Sequence, residues 1–280
     1  MLQFATDDPA LQGASTSQEP IISRESFTAP TVAEHLRESL YQHLLPLLTI
    51  LDHFMDVRLV RTFWQVIETM IVFRNRAHGL LLSELGAYLL SPEHAPAGTK
   101  RLSNLLRCGK WTSDLVSDFL WRNAQAKQEE LQTEGKDCLI LWDESVNEKP
   151  ESRKVEGLSP VRSSKAGRLA RSRPGFPARP VFVNGFQWIS LLIIGMTGTP
   201  LVAKQRWFAT RGDQETTMIE QRYELLKECW SAWQDKVIHV FDRGYASAKW
   251  IEACTEFKVR FLMRFPKRMM LWDADGDKKL

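Results

Sequence analysis

Two aspartates in this chain each end an uninterrupted apolar run: Leu139-Ile140-Leu141-Trp142-Asp143 and Val237-Ile238-His239-Val240-Phe241-Asp242. A short continuous apolar run reads as a buried strand, and an acid at its C-terminal end is delivered to the rim of a sheet. A single aspartate in such a place is more readily a turn residue or a helix N-cap. Two in matching contexts favour another use, because neighbouring strands would let both carboxylates hold one metal site. A small set of hard oxygen ligands suits Mg²⁺, which keeps several waters and works together with substrate phosphates. Two such ions roughly 3.5–4 Å apart can activate a water or a 3′-hydroxyl and stabilise the leaving oxygen of an in-line phosphoryl displacement. The expected ion is therefore Mg²⁺, with Mn²⁺ as its substitute, and the expected substrate is a phosphodiester.

The neighbours of the two acids divide by strand geometry. Glu144 follows Asp143 and so points to the opposite face if the strand continues, which removes it as a primary ligand. Arg243, next to Asp242, is placed either to hold a phosphate or to pair with a core acid. His239 reads as a core or sheet-surface residue, and Trp207, Trp230, Trp233 and Trp250 fit core packing better than base stacking.

These acids need elements to position them. From Asp137 onward the pattern predicts a strand up to Trp142 and an extended loop over Ser152 to Pro180. Strand-like runs follow at Val181 to Val183, Gln187 to Met196 and Leu201 to Ala209. A helix is expected over Thr216 to Trp233, a strand over Lys236 to Phe241, a helix over Ala246 to Phe257 and a strand over Val259 to Phe265. Asp275-Gly276 predicts a hairpin turn. The extended loop carries Arg153, Lys154, Arg162, Lys165, Arg168, Arg171, Arg173 and Arg179 against the single acid Glu156. Such a stretch is either a solvated basic loop or a counterion-releasing contact to a DNA backbone, and its departure close behind Asp143 favours DNA.

The preceding half is different. Met1 to about Pro30 is rich in Ser, Thr, Gln, Pro and Asp and reads as a mobile arm. From Thr31 to about Gln132 apolar residues recur at helical spacing, as in Leu36, Leu40, Leu44, Leu47, Leu48 and Leu51. Breaks are expected at Ser91-Pro92, Ala95-Pro96-Ala97-Gly98 and Cys108-Gly109. Ser83 to Leu90 and Thr99 to Arg107 have a helix-turn-helix look. The second of them sets Lys100, Arg101, Asn104 and Arg107 opposite Leu102, Leu105 and Leu106, a face for a DNA groove or simply a solvated one. The fold class is α+β, with a helical module over 31–134 and a mixed sheet flanked by helices over 135–280.

Composition excludes little. A formal charge of +3 is nearly silent about nucleic acid. The longest apolar run, Phe186 to Met196, is too short for a membrane span, so no membrane partner is expected. The four scattered cysteines, with no Cys-x-x-Cys spacing, fit reduced thiols in a cytoplasm. The strand ending in Asp143-Glu144 is like the Mg²⁺-binding strand of an NTPase, yet no Gly-x-x-x-x-Gly-Lys-Ser/Thr cradle exists. A phosphatase would want an acid where Ser145 stands, and a calcium loop aligned on Gly276 would begin at Leu271, which cannot ligate.

The runs Leu141-Trp142-Asp143-Glu144-Ser145 and Phe241-Asp242-Arg243-Gly244-Tyr245 resemble the first and second acid regions of insertion-sequence DDE transposases, cut-and-paste enzymes with a ribonuclease-H-like core. The resemblance covers roughly Cys138 to Pro266, with a looser likeness in the helical half. It implies that Asp143 and Asp242 are catalytic metal ligands leaving the first and fourth core strands. It also implies that the helical half binds transposon terminal repeats, that target DNA is the second partner, and that a homodimer assembles on DNA in a bacterial, nucleoid-associated setting. The family's third acid is a Glu in a Tyr-x-x-Arg-x-x-x-Glu pattern. Tyr223 has Leu226 and Trp230 at the later offsets, so the chain is expected to be truncated before that Glu, with 266–280 opening an insertion. A non-catalytic DNA-binding protein that competes for transposon ends is the alternative.

Overall fold

The computed structural model describes residues 29–72, 81–165, 180–212, 215–267, 271–272 and 278–279. The arm expected before Pro30 lies, up to residue 28, outside the described residues.

The first half is helical as expected: α1 (Ala29–Phe54), α2 (Val57–Val72), α3 (Leu82–Leu89), a 3₁₀ turn (Pro92–His94), α4 (Ala95–Leu106) and α5 (Ser113–Thr133). Leu47 and Leu51 of α1, Phe63 and Val66 of α2, Leu85 and Leu89 of α3, Leu102 and Leu105 of α4 and Phe119 of α5 form one apolar cluster. The break expected at Ala95 to Gly98 is absent, because Pro96 falls in the first turn of α4, where its missing N–H costs nothing. Gly98 lets α4 cross α3 in close contact: a Cβ there would lie 2.0 Å from the Gly86 carbonyl oxygen.

The second half is a mixed sheet of β1 (Cys138–Glu148), β2 (Ser159–Arg162), β3 (Phe182–Gly195), β4 (Leu201–Phe208), β5 (Ile238–Phe241) and β6 (Arg260–Met263), with α6 (Met218–Trp233) and α7 (Ala248–Glu256) between its later strands. The strand order is β2-β3-β1-β5-β6, and β4 pairs with β3 on the β2 side. β3 runs antiparallel to β1, β2 and β4, while β1, β5 and β6 are parallel. Parallel neighbours require crossovers, and α6 and α7 provide them. Their starts are marked by a Thr217/Glu220 capping box and by the Ser247 cap. With β2 set aside, Asp143 lies in the first strand and Asp242 directly follows the fourth. β7 (Leu271–Trp272) pairs antiparallel with β8 (Lys278–Lys279), and the turn expected at Asp275-Gly276 lies outside the described residues.

Three elements differ from expectation. β1 does not stop at Trp142 but runs on to Glu148, because the long β3 gives it hydrogen-bonding partners as far as Gly185. The runs expected separately at Val181 and Gln187 are one strand, with Gly185 buried where a Cβ would meet Val161 and the Asn147 carbonyl. The extended loop contains β2, which pairs with the start of β3.

The sheet has two unlike faces. Cys138, Ile140 and Trp142 of β1, Ile189, Leu191 and Ile193 of β3, and Phe241 of β5 join Ala124 and Leu131 of α5, Leu225, Cys229 and Trp233 of α6 and Trp250 and Cys254 of α7 in one core. α5 thus contributes to both apolar clusters. The alternate residues Leu139, Leu141, Leu192, Ile194, Ile238 and Val240 are only half-buried and form the more open face.

Candidate metal centre and nucleic-acid surface

The parallel register pairs Leu141 with Val240 and Trp142 with Phe241; carried one step further, past the end of β5, it would set Asp143 alongside Asp242. Neighbouring strands lie about 5 Å apart and residues in register point to the same side. Both acids therefore emerge on the open face, and both are exposed. Asp143 lies opposite Ser190 of β3, so it is held in mid-strand by one neighbour and released at the end of pairing with the other.

Local hydrogen bonds orient each carboxylate and leave one oxygen over. Ser145 Oγ donates to Asp143 Oδ2 at 2.8 Å. The Gly244 amide donates to Asp242 Oδ1 at 2.8 Å, and a Cβ at position 244 would meet that same oxygen at 2.9 Å. Asp143 Oδ1 and Asp242 Oδ2 have no hydrogen-bond partner among the described residues. Two free, solvated carboxylate oxygens on one face fit a hydrated divalent cation that takes its remaining ligands from water and phosphate. Among the described residues no group of three His, Cys, Asp or Glu side chains comes together, so the pair is not part of a closed cage.

The opposite face braces the pair. Glu144 points inward, as strand alternation requires, and accepts from Arg222 Nε of α6 at 2.5 Å. The Arg222 guanidinium lies 4.1 Å from the Tyr245 ring centroid. Burial works against the Arg222 charge, but the hydrogen bond and charge of Glu144 outweigh it and hold its pKa above the ordinary value. Burial, and then the Glu144 charge, push the Tyr245 hydroxyl upward. This cluster ties the strand of Asp143 to the turn that follows Asp242. His239 is a core residue: Trp142 Nε1 donates to its Nδ1 at 3.0 Å, and burial lowers its pKa to about 4.

The basic residues sort less tightly. Arg243 is exposed and makes no ion pair among the described residues. Lys100, Arg101 and Arg107 are exposed on α4. Arg101 and Asn104 line a groove of about 630 Å³ together with Arg58 and Arg61 of α2, two cations that sequence reading passed over. Their signal was their place in the first turns of an amphipathic helix, ambiguous without knowing which helix lies alongside. Arg153, Lys154 and Lys165 are exposed around β2, and Arg162 is an exposed residue of β2 itself. Arg168, Arg171, Arg173 and Arg179 lie outside the described residues. Ser145 was also legible, since a period of two puts it on the face of Asp143. Trp233 and Trp250 are buried and Trp230 half-buried, but Trp207 is exposed, contrary to the core role expected of it. Its position in β4 puts its side chain on the open face rather than toward α6.

No family model matches this chain, and no curated protein does. Among solved structures, a piggyBac transposase synaptic complex with hairpin DNA is similar over 77% of this chain and 43% of its own, at 11% identity and a TM-score of 0.39. The Mos1 transposase paired-end complex with left transposon end is similar over 70% of this chain and 56% of its own, at 13% identity and a TM-score of 0.24. For the Mos1 strand transfer complex the shares are 76% and 68%, at 15% identity and a TM-score of 0.25. This chain thus spans less than half of the piggyBac transposase it is compared with, and overlaps this loose carry no residue roles from one chain to another.

Proposed function

We propose that this chain carries two acids of the catalytic face of an insertion-sequence DNA transposase, and that Asp143 and Asp242 bind Mg²⁺ for strand cleavage at transposon ends and transfer to target DNA. The observation that carries the reading is the β1–β5 register, which, carried one step past its last pair, would set two acids from distant parts of the chain side by side. The resemblance of Asp143-Glu144-Ser145 and Asp242-Arg243-Gly244-Tyr245 to the family's acid regions supports it.

Asp143 and Asp242 would hold the ion through their free oxygens, with Ser145 and the Gly244 amide keeping the other oxygens turned away. A bound Mg²⁺ supplies charge for the attacking and leaving oxygens of an in-line phosphoryl transfer. Arg243 would hold a neighbouring phosphate, and the exposed Arg153, Lys154, Arg162 and Lys165 would hold the backbone beyond it. The α4 face with Lys100, Arg101 and Arg107 would contact the transposon end. The third acid that the resemblance implies would have to reach the open face. The alternative, a DNA-binding protein that does not cut, is favoured by one observation: the described residues bring only two acids together.

Mn²⁺ titration followed by electron paramagnetic resonance tests the site apart from cleavage. Asp143→Asn and Asp242→Asn should each weaken Mn²⁺ binding by at least about tenfold, the effect of losing roughly 1.4 kcal/mol of ligation, while DNA binding survives. Unchanged Mn²⁺ affinity in either variant sinks the assignment. Mg²⁺-dependent nicking of terminal-repeat DNA that is lost in both variants separates the enzyme from the non-cutting binder.

A further inference from the structure

The open face carries a second feature. Trp188 and Trp207 pair across β3 and β4 with ring centroids 4.7 Å apart and planes inclined by 31°. Phe186 meets Trp207 edge-on at 6.1 Å. Trp207 is 54% exposed, an unusual cost for the largest apolar side chain unless something stacks on it. In register, Trp188 lies opposite Ser145 and Ser190 opposite Asp143. Trp188 therefore lies two residues along and one strand across from Asp143, about 8 Å away on the same face, with Trp207 one strand further, about 12 Å away.

The surroundings are cationic. Phe186, Trp207 and Arg211 line a groove of about 360 Å³, with Glu156 as its one acid. The Arg211 Nε donates to the Leu158 carbonyl, which anchors the guanidinium at the groove. Arg162 stands opposite Phe182 on the same face, and residues 149–165 hold five basic side chains against two acids. Flat aromatic surface beside cations matches a nucleic-acid strand, whose bases offer π-faces and whose backbone is anionic. A base inside a duplex has both faces covered by its neighbours, so an unpaired base fits.

We propose that Trp207 and Trp188, flanked by Phe186 and Arg211, are a stacking platform for an unpaired nucleobase of the DNA strand that crosses Asp143 and Asp242. This rests on the DNA reading above but needs no cleavage. The test uses the full chain in EDTA and a duplex whose single-stranded overhang carries 2-aminopurine. Binding should quench the probe. Trp207→Ala should abolish the quenching and weaken overhang binding roughly tenfold, within the range measured for base–aromatic stacking. Fully paired duplex should bind the variant and the parent equally, and Trp207→Phe should keep most of the quenching. Matching thermal unfolding of parent and variant excludes a folding defect. Undiminished quenching in Trp207→Ala overturns the platform, as does a change in sedimentation of the free protein, which would mean that a second copy covers this face. Quenching that persists in Asp143→Asn, alongside failed Mn²⁺ binding in the parent, upholds the platform and removes only the metal site. A chain that binds neither DNA overturns both.

Discussion

Asp242 and Gly244 show how much the orientation of one carboxylate can depend on an absent methyl group. The Gly244 amide fixes Asp242 Oδ1, and a Cβ at 244 would stand 2.9 Å from that oxygen. The clash is with the tip of a rotatable side chain, so Gly244→Ala should turn the carboxylate rather than unfold the turn. We expect the urea midpoint to change by less than the equivalent of about 1 kcal/mol, with Mn²⁺ affinity clearly reduced in the same preparation. His239 carries a different prediction. The indole N–H of Trp142 can only donate, so Nδ1 accepts and the single proton of the neutral ring sits on Nε2. Burial lowers its pKa from 6.5 to about 4, which means that between those values the unfolded chain takes up a proton that the folded chain refuses. Stability from this residue is full above about pH 6.5 and falls as the pH drops toward 4, by up to about 3 kcal/mol. Urea denaturation of the parent and of His239→Gln, whose amide oxygen can accept from Trp142, should show the gap between them narrowing as the pH is lowered from 7 to 4.5.

Helix α4 owes its place to Gly98, and the sheet strands owe theirs to one-sided burial. With the Gly86 carbonyl 2.0 Å from where a Cβ would stand, Gly98→Ala cannot be absorbed by a side-chain rotation, because the obstacle is backbone. The variant should lose about 2 kcal/mol or more, as overpacked cores do. Its helical half should melt earlier by circular dichroism, and the α4 basic face should lose DNA affinity with it. In the sheet, Cys138, Ile140 and Trp142 are buried under helices while Leu139, Leu141 and Asp143 alternate outward. The Glu144–Arg222 pair on the inner face then holds β1 against α6 just where the outward acid is needed. Capping residues mark where these helices begin: Thr217 with Glu220 for α6 and Ser247 for α7. Such local signals act within one turn, which is why α6 and α7 were readable from the chain to within about two residues.

For the whole molecule, cation placement matters more than net charge. A formal +3 is too small to steer DNA by itself, yet Arg58, Arg61 and Arg101 share one groove between α2 and α4. If those three neutralise phosphates, replacing all of them with Ala should lower the slope of log affinity against log salt by roughly 2–3. An unchanged slope in fluorescence anisotropy would place the DNA elsewhere. The α+β class, the helical half before the strands, the acids following apolar runs and the inward turn of Glu144 were all legible in the residues, because periodicity and strand alternation are local properties of the chain. Tertiary structure alone decided that the strands preceding Asp143 and Asp242 are neighbours, that β1 runs on to Glu148, that Trp207 faces outward and that Arg58 and Arg61 share a groove with Arg101. Each of these depends on which distant segment supplies the hydrogen bonds or covers the surface. A pattern of period two or 3.6 specifies a buried face but leaves its partner and register to long-range pairing.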